Sequence, residues 1–60
     1  TERELEVLTL AAEGLTRDEI AARLYMSGAT VKTHLGNIYR KLEVGGKAAA
    51  IKKAGKLKIL

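Results

Sequence analysis

The stretch that decides the fold runs from Ser27 to Leu42 and is SGATVKTHLGNIYRKL. Its larger apolar residues recur at steps of four, three and four residues: Val31, Leu35, Ile38 and Leu42. This spacing predicts an α-helix with one apolar face, because residues three and four apart lie on the same side of a helix. That face must be buried against other parts of the chain.

The opposite face of this helix has a different character. At about 100° per residue, it is centred on residues that are small, polar or cationic: Ala29, Thr33, Gly36, Asn37 and Arg40. A helix with such a surface can enter the major groove of DNA. The same pattern also suits any solvated amphipathic helix, so the flanking sequence has to decide between these two interpretations.

The residues before this stretch predict a second helix and a short turn. Thr16 and Glu19 have the spacing of a capping box, which predicts a helix from Arg17 to Leu24. Ser27 is a good N-cap for the next helix. Small Ala21, ten residues before Val31, allows two helices to cross closely, which is typical of a helix-turn-helix. The residues expected to pack this motif are Ile20, Ala21, Leu24, Val31, Leu35 and Ile38.

The N-terminal part of the chain predicts a first helix over residues 2–13. Thr1 and Glu4 have capping-box spacing, and Gly14 is placed to end the helix in a left-handed conformation. The expected inner face consists of Leu5, Leu8 and Ala12, with Val7 and Ala11 beside them.

The C-terminal part predicts a fourth, short helix over residues 47–55. Gly45 and Gly46 break the third helix, and glycine offers no side-chain cap to the fourth. Ala49, together with Ala48 and Ile51, is expected to face inward, and residues 56–60 are expected either to pack on the first helix or to fray. The predicted fold is therefore all-α, a four-helix bundle-like domain with helices at about 2–13, 17–24, 28–43 and 47–55.

Length and composition exclude several classes of function. The 60 residues include no cysteine and one histidine, His34, so disulfides and multi-ligand zinc sites are excluded and a catalytic constellation is hard to build. We expect no enzyme and no cofactor, and a structural role for His34. No apolar run approaches the roughly 20 residues that span a bilayer. The prediction is a cytoplasmic domain that has no membrane partner.

Charge is distributed unevenly along the chain. Residues 1–24 contain six acidic and three basic side chains, a net charge of −3, whereas residues 25–60 contain eight basic and one acidic, a net charge of +7. A polyanion would therefore be attracted to the half that contains the Ser27–Leu42 stretch. Lysine-rich surfaces that only maintain solubility are the alternative explanation.

Three segments resemble one known family. TERELEVL, EGLTRDEIAARL and TVKTHLGNIYRKLEV are similar to the C-terminal DNA-binding domain of LuxR-type bacterial transcription regulators, also called the FixJ/NarL or GerE type. The resemblance extends from residue 1 to about residue 44. The resemblance implies duplex DNA as partner and a homodimer contact through helix 47–55 that forms on DNA. We also expect a contact with RNA polymerase. Since the chain begins at a helix cap with no sensory segment before it, we expect it to be part of a larger regulator.

The resemblance places base reading at Lys32, Thr33 and Gly36 and phosphate contacts near Thr16, Ser27, Thr30 and Arg40 or Lys41. Asn37, beside the outward face of the helix, and Arg17 complete the expected set. The expected base-reading residues are Lys32, Thr33, Gly36 and Asn37. The expected phosphate contacts are Thr16, Arg17, Ser27, Thr30, Arg40 and Lys41. Two positions depart from the family pattern: Gly36 stands where a polar or charged side chain is usual, and Gly45-Gly46-Lys47 replaces a polar cap and an arginine.

Two alternative functions remain open at this level. The promoter-reading helix-turn-helix of a sigma factor is similar to the chain through Leu24, although the THLGNIY segment fits it less well. A helical protein-interaction module would use the amphipathic helices for docking, and its KKAGKLKIL end could touch an acidic membrane surface.

Overall fold

Four helices form the fold in a computed structural model that describes residues 2–60. They are α1 (Glu2–Ala12), α2 (Arg17–Leu24), α3 (Gly28–Leu42) and α4 (Lys47–Lys56). The described residues contain no strand, so the predicted all-α class is confirmed, and each helix boundary lies within one residue of its prediction. The predicted capping box at the start of α1 involves Thr1, which lies outside the described residues.

Three helix ends differ by one residue from their predictions: α4 ends at Lys56 rather than 55, and the ends of α1 and α3 share a common cause. Gly14 adopts φ +97°, and the N–H groups of Gly14 and Leu15 donate to the carbonyls of Ala11 and Leu10 at 3.1 and 3.2 Å. This Schellman arrangement satisfies the last carbonyls and stops the helix, so α1 ends at 12 rather than 13. Glu43, at φ 57°, ends α3 in the same way at 42 rather than 43.

The inner face of α1 differs from the predicted one. Leu5 is 43% exposed, and Ala12 is also exposed. The buried residues of α1 are Glu4, Val7, Leu8 and Ala11. They are spaced by three, one and three residues, which is the regular pattern of a helix face. The sequence did not predict this face because its first residue is a glutamate.

The inner face of α4 was also assigned wrongly. Ala50 and Ala54 are fully buried, whereas Ala48 and Ala49 are exposed and Ile51 is half-buried. Because alanine fills three successive positions from 48 to 50, the sequence offers no contrast from which to choose the inner one. The packing of α4 against α1 and α3 decides it.

The residues expected to pack the helix-turn-helix lie in the core or against it. Of its expected packing residues, Ile20, Ala21, Val31 and Ile38 are buried, and Leu24 and Leu35 are half-buried and pack against the same cluster. Since α3 contacts all three other helices, its apolar face is covered and its opposite face is left at the surface of a molecule that measures 29 × 19 × 19 Å.

The residues after α4 fold back toward α1. The N–H of Ile59 donates to the carbonyl of Ala54 at 2.8 Å, and Ile59 lines a groove together with Leu5 and Leu42. The segment therefore borders α1 at this groove, while the side chains of residues 56–60 remain exposed. Within residues 2–60, every helix is too short or too polar to cross a bilayer.

Candidate nucleic-acid interface

Side-chain caps fix where α2 and α3 begin. The Thr16 hydroxyl accepts from the N–H of Glu19 at 3.2 Å, and the Glu19 carboxylate accepts from the N–H of Thr16 at 2.8 Å. The backbone hydrogen bond from Thr16 lowers the pKa of Glu19. At the start of α3, the Ser27 hydroxyl accepts from the N–H of Thr30 at 3.1 Å. Both caps predicted from the sequence are therefore confirmed.

The N-terminal ends of α2 and α3 lie side by side. A Cβ added at Gly28 would be 3.7 Å from Nε of Arg17, which is ordinary van der Waals contact. Thr16, Arg17, Ser27 and Thr30 are all exposed at these adjoining ends. The structure thus brings four of the six expected phosphate-contact residues to one edge of the molecule.

The outward face of α3 carries few large side chains. Lys32, Thr33 and Gly36 are exposed and Asn37 is half-buried. The Thr33 hydroxyl donates to the carbonyl of Ala29 at 3.1 Å, so its methyl group and its acceptor lone pairs remain available. Among the described residues, nothing lies within 4 Å of the position that a Cβ would take at Gly36. This part of the helix can therefore approach a partner closely.

Arg40 lies on the same side of α3, one turn after Gly36. Its Nη2 donates to Oδ1 of Asn37 at 3.4 Å, and the side chain is exposed. This contact occupies the oxygen of Asn37 and leaves its amide N–H groups as donors. Arg40 keeps most of its guanidinium donors for another acceptor.

Lys41 has a different environment from Arg40. Its Nζ donates to Oε1 of Glu4 at 2.7 Å, which forms an ion pair between α3 and α1. Glu4 is only 8% exposed, and the hydrogen bond from Lys41 lowers the pKa of its carboxyl group. Lys41 is therefore held toward α1. The burial of Glu4 was not predicted, although its i, i+3 and i+4 spacing to Val7 and Leu8 is a sequence signal for it.

The positions of the remaining polar and aromatic residues near the helix-turn-helix are set by the packing and capping of the helices. His34 is half-buried. Its Nδ1 atom is buried and neither donates nor accepts a hydrogen bond within residues 2–60. Tyr39 packs against the core. Tyr25, which was not singled out from the sequence, ends α2 in a left-handed conformation at φ 56° and is 97% exposed.

Comparison with known proteins gives concordant results. The family described as bacterial regulatory proteins, luxR family, matches residues 1–54. The match extends beyond residue 44 into α4. The transcriptional regulatory protein LiaR of Bacillus subtilis (strain 168) is 50% identical over 50 residues, which represent 83% of this chain and 24% of LiaR.

A solved structure is similar over the whole fold. The crystal structure of the response regulator ChrA, from a heme-sensing two-component system, superposes with a TM-score of 0.97 at 43% sequence identity. The superposition covers all of this chain and 30% of the ChrA chain. The chain thus spans less than a third of the length of either relative. On this evidence the chain belongs to the luxR family of bacterial regulatory proteins, whose helix-turn-helix domains bind DNA and are not enzymes.

Proposed function

We propose that this domain binds duplex DNA in a sequence-specific manner as the output domain of a bacterial transcription regulator, with α3 in the major groove. The observation that carries the proposal is the two-sided character of α3. Val31 and Ile38 are buried in the core, whereas Lys32, Thr33 and Gly36 are exposed on the other side. A helix that packs into the core along one side and is exposed along the opposite side fits the width of the major groove.

Base reading is assigned to the exposed residues of α3. The Lys32 ammonium can donate to O6 or N7 of guanine, and the Thr33 methyl group can contact the methyl group of thymine. The free amide N–H groups of Asn37 suit an acceptor on a base edge. Gly36 contributes no side-chain contact, so its role is to let the backbone come close, and specificity depends mainly on Lys32 and Thr33.

Phosphate contacts are assigned to the edges of the motif. Thr16, Arg17, Ser27 and Thr30 meet where α2 and α3 begin, and Arg40 lies further along α3. Such contacts position a protein on the duplex without reading its sequence. Lys41 was included in this set, but its ion pair with Glu4 favours a role in orienting α3 on α1, so we assign the phosphate contact to Arg40.

The similarity to LiaR and ChrA supports a place in a response regulator. Both names describe regulatory proteins, and this chain matches about a quarter to a third of each. By analogy, it is the DNA-binding part of such a regulator. We further propose that the protein acts in the cytoplasm, that two copies meet through helix 47–55 when bound to adjacent half-sites, and that the DNA-bound domain contacts RNA polymerase.

Two substitutions separate base reading from phosphate contact. A preferred duplex is selected from a randomised pool, and binding to it and to random duplex is measured by fluorescence anisotropy over a salt series. Lys32→Ala should reduce the preference for the selected duplex by about 1–3 kcal/mol. Arg40→Ala should weaken binding to both duplexes and reduce the slope of log K against log salt by about one.

Arg23→Ala is the matched control, because Arg23 is an exposed cation on α2 beside Glu2 and Glu6. It should leave the preference and the salt slope close to those of the parent. If Lys32→Ala and Arg40→Ala behaved like Arg23→Ala, α3 would not be the recognition helix.

A further inference from the structure

The helix proposed to read the duplex has few hydrogen-bond acceptors among its side chains. Residues 28–42 contain no aspartate or glutamate, and Asn37 is the only amide side chain in the 60 residues. The next carboxylate, that of Glu43, lies beyond the end of α3. Carboxylates and amides are the groups that accept from the amines of cytosine and adenine in the major groove. Asn37 is therefore the residue of α3 on which the reading of such an amine would depend.

The side-chain oxygen of Asn37 already has a donor. Nη2 of Arg40, one turn further along the helix, donates to Oδ1 of Asn37 at 3.4 Å. An asparagine that recognises adenine uses this oxygen for the N6 amine and its own amide nitrogen for N7. With the oxygen occupied, Asn37 keeps only its N–H donors, which fit an acceptor such as O6 of guanine or O4 of thymine.

The hydroxyl group of Thr33 also has a partner within the helix. It donates to the carbonyl of Ala29 at 3.1 Å, which holds the oxygen close to the helix backbone. The methyl branch is then the part of Thr33 that suits a base edge, and it matches the methyl group of thymine. Lys32 has N–H donors and no acceptor. The exposed side of α3 thus offers donors and a methyl group to the bases.

We infer that α3 reads bases only through hydrogen-bond donors and the Thr33 methyl group, so that it contacts guanine and thymine and does not contact the amines of adenine and cytosine. The inference rests on the proposed function and names the class of base that the helix selects. Arg40 is a positioning residue in this reading, because it holds the oxygen of Asn37. A guanidinium has five N–H donors, so the same side chain can hold Asn37 and meet a phosphate.

A scan of base analogues in the selected duplex, measured by fluorescence anisotropy, tests which atoms are read. Deoxyuridine in place of thymidine removes the methyl group, and 7-deazaguanine in place of guanine removes the N7 acceptor. At the base pairs that α3 contacts, these changes should weaken binding by about fivefold or more, the lower end of what a specific base contact contributes. Deoxynebularine, which lacks the adenine amine, and 2-pyrimidinone, which lacks the cytosine amine, should leave the affinity unchanged at every base pair.

Arg40→Ala tests the positioning role, and circular dichroism checks that the variant is folded. The substitution releases Oδ1 of Asn37, so a new selection from the randomised pool should return adenine at a base pair where the parent prefers guanine or thymine. Loss of a phosphate contact alone would weaken binding without changing the preferred base. The matched control, Asn37→Ala/Arg40→Ala, lacks the amide and should not select adenine at that base pair.

The other outcomes contradict the inference in distinguishable ways. If removal of an amine weakens binding as much as removal of a thymine methyl group or a guanine N7, α3 reads with acceptors and the inference is wrong, although specific binding stands. An Arg40→Ala variant that selects the same bases as the parent removes the positioning role. If no analogue changes the affinity, α3 reads no base edge. If the parent prefers no duplex at all, the proposed function fails together with the inference.

Discussion

At the scale of single residues, Gly36 and Gly14 show two different uses of glycine. Gly36 is in the middle of α3, where an added Cβ would meet nothing within 4 Å among the described residues. Gly14 has φ +97°, a conformation that side chains disfavour. The first glycine is therefore not required by the fold of the free domain, whereas the second is.

This difference predicts opposite effects on stability. Gly36→Ala should increase the free energy of unfolding by about 0.5–1 kcal/mol, because alanine is the better helix former. Gly14→Ala should decrease it by about 1–2 kcal/mol, the cost of a left-handed conformation for a residue with a Cβ. Urea denaturation of both variants measures the two effects, and a loss of stability in Gly36→Ala would contradict the packing described for α3.

The Glu4–Lys41 ion pair predicts a dependence of stability on pH. Since the hydrogen bond from Lys41 lowers the pKa of Glu4 in the folded state, the pair stabilises the fold above the pKa of an unfolded glutamate, about 4.3. That stabilisation is lost as the pH falls through the lowered folded-state value. Glu19, whose pKa is also lowered, contributes in the same direction.

Replacing Glu4 tests this dependence. Glu4→Gln should be less stable than the parent at neutral pH and should lose less stability on acidification, as measured by urea midpoints at several pH values. Glu13→Gln removes an exposed carboxylate beyond the end of α1 and serves as the control. Equal acid sensitivity of the parent and Glu4→Gln would show that the ion pair does not stabilise the fold.

Single residues were the hardest to predict from sequence. The caps at Thr16 and Ser27 were predictable because they depend on neighbours three residues away. The pairing of Glu4 with Lys41 was not, because it joins residues 37 positions apart and depends on how α1 packs on α3.

At the scale of the helices, the crossing of α2 and α3 depends on a small side chain. Ala21 is buried in the cluster that contains Ile20 and Val31, whereas its neighbour Ala22 is exposed. Ala21→Leu should lower the free energy of unfolding by about 1–3 kcal/mol, because the larger side chain overpacks the crossing. Thermal or urea unfolding provides the measurement.

Ala22→Leu is the matched control for this prediction. It makes the same chemical change one position along the same helix, on the exposed side, and should change stability by less than about 0.5 kcal/mol. Similar losses in the two variants would mean that the substitution acts through helix propensity or the unfolded state and not through the crossing.

The helices themselves were largely predictable, and their inner faces less so. Local signals located α2 and α3, since capping residues and apolar spacing act within a few positions. The faces of α1 and α4 were misassigned for two physical reasons: Glu4 brings a charge into the buried stripe of α1, and Ala48, Ala49 and Ala50 cannot be distinguished by hydrophobicity. In both helices the tertiary contacts decide which side is buried.

At the scale of the whole molecule, the two halves of the chain have opposite net charges. A polyanion repels the acidic side chains of α1 and attracts the basic residues from Lys32 onward, so it orients the domain as it approaches. The sequence predicts this asymmetry fully, since charge can be counted. Only the folded structure shows that Lys47, at the start of α4, donates to the carbonyl of Leu15 just before α2.

Chemical-shift mapping of the ¹⁵N-labelled domain, titrated with its selected duplex, tests directly whether α3 enters the DNA groove. We expect the largest amide shifts in residues 29–40 and little change at Glu2 and Glu6 on the outer side of α1. If the largest shifts fell on α1 while residues 29–40 were unaffected, α3 would not be the element that enters the DNA groove.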